Sequence, residues 1–215
     1  MSKKMLTILS GSAVFLVAIY LAHYSYEKGE LLLVFLKSYF GNWQKCLFLI
    51  SVFMAPFTYS AITPIYEQTI FLRIKKNFLF VHLVKRSMFS ALNIATLLFS
   101  VFLTGGAIMA LEFVWSIEFV LLFVELLLFV ASMQISAVAI YILTKKVLQA
   151  ILSLLIVNFL IVAIVYNVNF YILGNLMGES LGRTIYLGYL FAVDIFSLTF
   201  LYFKSGVIEC LLPKE

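Results

Sequence analysis

Two acidic residues, Glu125 and Asp194, lie inside long apolar stretches and are the clearest candidates for chemistry in this sequence. A charged side chain at the centre of a membrane costs about 2.5–3.5 kcal/mol on insertion scales, so such residues are usually functional. Proton coupling is one possible role, although no partner base is visible. The alternatives are structural: Glu125 reaches outward or its helix begins later, and a protonated Asp194 hydrogen-bonds to a neighbouring helix.

No other group of residues is typical of a catalytic or metal site. The two histidines, His23 and His82, are far apart in the sequence, and neither belongs to a metal-binding or nucleophile motif. A glycine-rich phosphate loop with its lysine is also missing, so the chain itself is not expected to hydrolyse ATP. We therefore predict no catalytic residue, no metal and no cofactor bound by this chain.

A basic segment, residues 67–86, separates two apolar runs that contain no charged residue, 46–66 and 87–111. Its apolar and cationic residues alternate without a long apolar run, which is typical of a helix lying on or just below a membrane surface. Such a helix could dock against a partner protein. The alternative is that the segment is only the inward extension of two membrane helices.

The composition is that of an integral membrane protein. Hydrophobic residues make up 64% and charged residues 12% of the 215 residues, against roughly 45–50% and ~25% in soluble domains. The formal net charge of +5 is explained by basic loops facing anionic lipid, so no nucleic-acid partner is expected. We predict one all-α, polytopic membrane domain over residues 1–215.

Charge-free runs predict six membrane-spanning helices, since about 20 apolar residues cross the ~30 Å hydrocarbon core. The predicted spans are residues 5–22, 45–66, 87–111, 119–144, 147–173 and 184–203. The first is expected to be a retained span rather than a cleaved signal peptide, because its apolar stretch is long. The short run 31–40 is predicted to be an interfacial or re-entrant helix, or part of a longer second helix.

The distribution of Lys and Arg predicts the orientation. With the N-terminus in the cytoplasm, the outer connections hold four of the 15 Lys and Arg residues: Lys28, Lys37, Lys45 and Arg183. All the others fall in inner segments. Short loops rich in Lys and Arg stay on the cytoplasmic side, so both termini are predicted to be cytoplasmic.

The segment Ile62–Phe89, ITPIYEQTIFLRIKKNFLFVHLVKRSMF, resembles the connection between spans two and three in permease subunits of ABC-2 type bacterial transporters. In that family an acid follows span two, a short coupling helix sits in a groove of the ATPase subunit, and a basic residue leads into span three. The resemblance assigns the acid to Glu67, the coupling helix to residues 68–83 and the basic entry to Lys85 and Arg86. The ATPase-coupling residues would be Glu67, Phe71, Arg73, Lys75, Lys76, Phe78, Lys85 and Arg86.

The resemblance implies two partners: an ATPase subunit that carries Mg-ATP and a second permease subunit. It also implies the bacterial cytoplasmic membrane as the location. The chain departs from the family in its very short N-terminal segment and its short last outer hairpin. Its size and composition are most similar to compact permeases of bacteriocin or lantibiotic export and immunity, which implies an amphipathic peptide- or lipid-like substrate. A non-transporting immunity or scaffold protein and a small proton-coupled secondary transporter are the alternatives.

Overall fold

The computed structural model describes residues 3–27, 29–62, 76–167 and 179–204, and the side chains of 8–27, 29–59, 62, 80–165 and 184–204. These residues form helices and short connections and include no β-strand. The helices are α1 (Lys3–Glu27), α2 (Leu32–Phe40), α3 (Trp43–Lys45), a π turn (Cys46–Ile50), α4 (Ser51–Ile62), α5 (Lys76–Ile108), α6 (Glu118–Thr144), α7 (Val147–Asn167) and α8 (Glu179–Lys204).

Five of the described helices are long and apolar enough to cross a membrane. Their spanning parts are Ile8–Glu27 of α1, Phe80–Ile108 of α5, all of α6, Val147–Val165 of α7 and Thr184–Lys204 of α8. The protein is therefore an all-helical, multi-pass membrane protein. Each of these helices overlaps one of the six runs predicted to span the membrane.

The predicted second span has a more complex structure than a single α-helix. Over the described part, α3, the π turn and α4 follow one another without a break, and at 1.5 Å per residue they extend for about 30 Å. In the π turn, Ser51 N–H donates to the carbonyl of Cys46, five residues back. A sixth membrane crossing here stays a prediction.

The segment 31–40 forms a helix of its own, so the alternative that it belongs to a longer second helix is wrong. Two local features separate α2 from α3. Gly41 N–H closes α2 by donating to the carbonyl of Lys37. The side chain of Asn42 then caps α3 by accepting from the backbone N–H groups of Gln44 and Lys45, each at 3.1 Å.

One compact unit, called unit 1, comprises Met1–Phe57 and Ala91–Val130. Its core is aromatic: the fully buried Phe102 of α5 lies 5.0–5.9 Å, between ring centroids, from Phe35, Tyr39 and Phe40 of α2. Helix α2 therefore contributes its apolar face to this core. Such ring contacts add about 0.5–1.5 kcal/mol per pair beyond burial.

Small residues bring α1 and α5 close together in unit 1. A Cβ atom added at Gly105 would lie 3.2 Å from the carbonyl carbon of Ala18, and Ala18 is completely buried. Contacts between small residues are typical of membrane helices, whose backbones approach closely where side chains are short. The exposed ion pair of Lys37 and Glu118, at 3.6 Å, contributes little in comparison.

The second compact unit, unit 2, comprises Thr58–Ser90 and Ala131–Glu215. Its centre is the second half of α6, where residues 131–139 are all buried. Parts of α5, α7 and α8 complete the unit. Of the nine buried polar side chains among the described residues, seven lie in this unit.

Candidate functional site

The buried stretch of α6 in unit 2 carries polar residues among small apolar ones. Ser132, Gln134 and Ser136 are 3%, 1% and 3% exposed. Polar side chains of this kind hold membrane helices together, because in hydrocarbon they find partners only on other helices. Each of the three has such a partner on α4 or α8.

Ser132 forms the contact with the predicted intramembrane acid of α8. Its hydroxyl donates to Asp194 Oδ2 at 2.8 Å. The other carboxyl oxygen, Oδ1, is buried and has no hydrogen-bond partner. The structure thus shows a hydrogen bond from α6 to Asp194 in which Ser132 is the donor, while the protonated form of Asp194 stays a prediction.

One turn further along, the same two helices meet again. Ser197 Oγ donates to Ser136 Oγ at 3.2 Å, and Ser136 in turn donates to the carbonyl of Ser132 at 2.7 Å. Because contacts recur after four residues on α6 and three on α8, the two helices run side by side in the same direction.

Helix α7 joins this network through one buried amide. Asn158 is completely buried. It donates through Nδ2 to Met133 Sδ at 3.3 Å and accepts from the Tyr189 hydroxyl at 2.8 Å through Oδ1. A single residue of α7 therefore connects α6 and α8.

A further polar contact fixes α4 to α6. Gln134 Nε2 donates to Thr58 Oγ1 at 2.6 Å, and both side chains are buried. Since unpartnered amide groups are costly in an apolar interior, this pair constrains the rotation of α6.

An apolar cavity of about 370 Å³ lies among α6, α7 and α8 of unit 2. Its wall is formed by residues on one face of each helix: Ser136, Ala139, Ile140 and Leu143 of α6, Leu154 and Val157 of α7, and Tyr189, Ala192, Val193, Phe196, Ser197 and Phe200 of α8. The contribution of α8 follows a spacing of three and four residues, which is one helix face. Small-molecule pockets range from about 300 to 1,000 Å³, so the cavity is large enough for a ligand.

Cations lie at the end of the cavity where α6 ends and α7 begins. Lys145 and Lys146 form the connection between these helices, and Lys204 ends α8. All three are exposed, and because α6 and α8 run in the same direction they lie at the same end of unit 2. We call this the basic end. Among the side chains that the structure describes in unit 2, Asp194 is the one acid.

The start of α5 also lies near the basic end. The rings of Phe80 and Tyr202 meet edge to face with centroids 5.6 Å apart. Lys85 and Arg86 follow Phe80 within about 10 Å along the helix axis. The ring contact thus places the start of α5 beside the end of α8, where Lys204 lies.

The other predicted site residues are distributed differently. Glu125 is half-buried on α6 in unit 1, and α6 begins at Glu118, so the proposal of a later helix start is wrong.

Glu67, Phe71, Arg73 and Lys75 lie outside the described residues. Residues 76–86 form the first part of α5, which continues into the predicted third span. For these residues, the structure agrees with the alternative that the basic segment extends a membrane helix inward.

Sequence reasoning missed the most connected residues of the site. Ser132 and Ser136 are four residues apart and lie on one helix face, and Asn158 is a lone amide in a long apolar run. The pair of serines and the lone amide are both patterns that predict polar contacts between membrane helices. The cavity has no sequence signal of its own, because its wall has the composition of any membrane helix. Within the described residues, no three His, Cys, Asp or Glu side chains could hold a metal ion.

Comparison with known proteins gives no further assignment: no family model, no curated protein and no solved structure matches this chain.

Proposed function

We propose that the chain is the membrane-spanning subunit of a bacterial transporter, which moves an amphipathic substrate and is driven by a separate ATPase subunit. The observation that carries this proposal is the apolar cavity among α6, α7 and α8. A bound amphipathic molecule needs apolar surface within the membrane, and the cavity offers it in a volume suited to a small ligand. Mg-ATP would bind to the partner, and a second permease subunit would complete the transporter.

The ATPase would dock at the cytoplasmic side, on the basic segment 67–86. Support comes from Phe80 of this segment, whose ring contacts Tyr202 near the basic end, where three lysines lie. A positive surface of this kind is expected on the cytoplasmic face. We therefore propose six spans, both termini in the cytoplasm, and α3–α4 as the second span.

Substituted-cysteine labelling tests the orientation. In a background without Cys46 and Cys210, a cysteine at Glu118 should react with a membrane-impermeant maleimide added to intact cells. A cysteine at Lys146 should react only after permeabilisation. The reverse pattern would overturn the orientation and, with it, the location of the ATPase site.

Purification in mild detergent tests the partnership. The tagged chain, expressed in its own host, should retain a protein with a nucleotide-binding P-loop, and the complex should hydrolyse ATP. An aromatic anchor at an interface can contribute about 2 kcal/mol or more, whereas a peripheral charge acts mainly on rate and salt dependence. Phe78→Ala should therefore release the ATPase, while Lys75→Gln with Lys76→Gln should weaken the complex less. Phe89→Ala, an exposed residue of the same helix, is the matched control.

Absence of any P-loop protein from the wild-type complex would refute the permease proposal and favour a non-transporting immunity or scaffold protein that binds anionic lipid. In that case the ranking of the variants would reverse, because each Lys near an anionic surface contributes about 1 kcal/mol.

A proton-coupled transporter is the second candidate, and one observation favours it: the buried Oδ1 of Asp194 has no hydrogen-bond partner. An amide keeps the hydrogen bond from Ser132 but cannot exchange a proton. If transport in proteoliposomes lost its pH dependence in Asp194→Asn, coupling through this residue would replace coupling to an ATPase. If the pH dependence of transport were unchanged in Asp194→Asn, the role of Asp194 would be limited to its hydrogen bond with Ser132.

A further inference from the structure

We propose that the cavity among α6, α7 and α8 binds one hydrocarbon chain of an anionic membrane lipid, whose headgroup lies at the basic end. The inference concerns the same cavity as the proposed function and names the class of molecule that it binds, but it does not depend on the ATPase: the lipid site would exist with or without one. It rests on three features of unit 2: the chemistry of the cavity wall, its accessibility and the charges at one end.

The wall has almost no capacity for hydrogen bonding to a ligand. Its hydroxyl groups already donate to protein acceptors: Ser197 to Ser136, Ser136 to the carbonyl of Ser132, and Tyr189 to Asn158. A peptide brings backbone N–H and C=O groups that need partners in an apolar environment. A hydrocarbon chain needs none. The wall therefore favours a lipid chain over a peptide.

The volume and the opening agree with a chain that enters from the membrane. The cavity, at about 370 Å³, is more than twice the ~150 Å³ that accommodates benzene in a protein interior. Leu143 and Phe196 line it and are 56% and 71% exposed, so the cavity is reached from outside the protein. On membrane-spanning helices, this exposed surface faces hydrocarbon or another protein.

The charges select the headgroup. Leu143 of the wall comes two residues before Lys145, and Phe200 comes one helical turn before Lys204. Asp194 is about 15 Å from Lys204 along α8. A lipid with its chain in the cavity would thus place its headgroup among three exposed lysines. An anionic headgroup is complementary to this surface, whereas a zwitterionic one gains little.

Tryptophan quenching by brominated lipids tests the proposal in the full-length protein. In a background with Trp43→Phe and Trp115→Phe, the reporter is Phe196→Trp at the cavity. The control is Leu152→Trp, which is 48% exposed and about 140–160° around α7 from Leu154 and Val157. Each is reconstituted in phosphatidylcholine vesicles that contain the same small fraction of brominated phosphatidylglycerol or brominated phosphatidylcholine.

At the reporter, brominated phosphatidylglycerol should quench more strongly than brominated phosphatidylcholine, while the two should quench equally at the control. Replacing Lys145, Lys146 and Lys204 by Gln should remove the preference. Each contributing lysine corresponds to about a fivefold enrichment of the anionic lipid. Ala192→Phe, at the exposed edge of the cavity, should reduce quenching by both lipids at the reporter and leave the control unchanged.

Equal quenching by the two lipids at the reporter would overturn the proposal. So would a preference that survives the three Lys→Gln changes, because the headgroup contact would then be absent. If neither lipid quenched the reporter more than the control, and chemical cross-linking placed a second copy of the chain at Phe196, the cavity would be a subunit interface and no lipid site.

Discussion

The contact between Thr58 and Gln134 allows a quantitative test of the buried polar network. In Thr58→Val the shape of the side chain is nearly preserved, but Gln134 Nε2 loses the acceptor that it contacts at 2.6 Å. Gln134 is only 1% exposed, so water cannot replace the lost partner. Leaving a buried donor unsatisfied costs about 1–3 kcal/mol, and we expect the free energy of unfolding to fall by that amount.

The double variant Thr58→Val with Gln134→Leu removes both polar groups and should recover part of the loss. The resulting coupling energy should fall near 0.6 kcal/mol and not above about 1.7 kcal/mol, the range measured for hydrogen bonds between membrane helices. Circular dichroism follows unfolding in mixed micelles. The coupling energy is obtained from the stabilities of the wild type, the two single variants and the double variant.

Thr96→Val is the matched control, because Thr96 is exposed on α5 and its change should alter stability by less than about 0.5 kcal/mol. If Thr58→Val lowered the free energy of unfolding by no more than the control does, the reasoning that Gln134 depends on this acceptor would be refuted. A double variant less stable than either single variant would do the same.

Three further changes test the packing. Gly105→Val should destabilise the protein, because even an added Cβ would lie only 3.2 Å from the backbone of Ala18; thermal unfolding monitored by size exclusion would show it. Phe102→Ala should cost about 3–5 kcal/mol because the ring is fully buried, whereas Phe89→Ala, 66% exposed, should cost little in the same assay. Lys145→Gly should raise the unfolding temperature slightly, because the residue has a φ of 56°, a conformation that disfavours side chains; an unchanged or lower temperature would contradict this.

Helix positions were predictable because charges mark where chains leave the hydrocarbon. The predicted span 119–144 differs from α6 by a single residue at its start. The prediction was less accurate for α5, which begins at Lys76 and not at residue 87. Lys85 and Arg86 indicate the edge of a membrane span, but they are good helix formers and do not end a helix.

The contacts within the site were not predictable in the same way. Hydropathy identifies a membrane helix but contains little information about its rotation, because lipid-facing and protein-facing surfaces are both apolar. Asp194 was identified from its charge, yet its partner Ser132 could have been any of several serines. The lining of the cavity depends on which faces of three helices meet, so it became apparent only in the folded structure.

The π turn between Cys46 and Ile50 has a consequence for comparing this chain with others. A turn closed by a hydrogen bond to the fifth residue holds one residue more than an α-helical turn. A relative with a regular α-helix in its place would be one residue shorter, and a correct alignment would need a gap between Cys46 and Ile50. Without that gap, buried positions such as Met54 and Phe57 would be paired with neighbours from a different face of the helix.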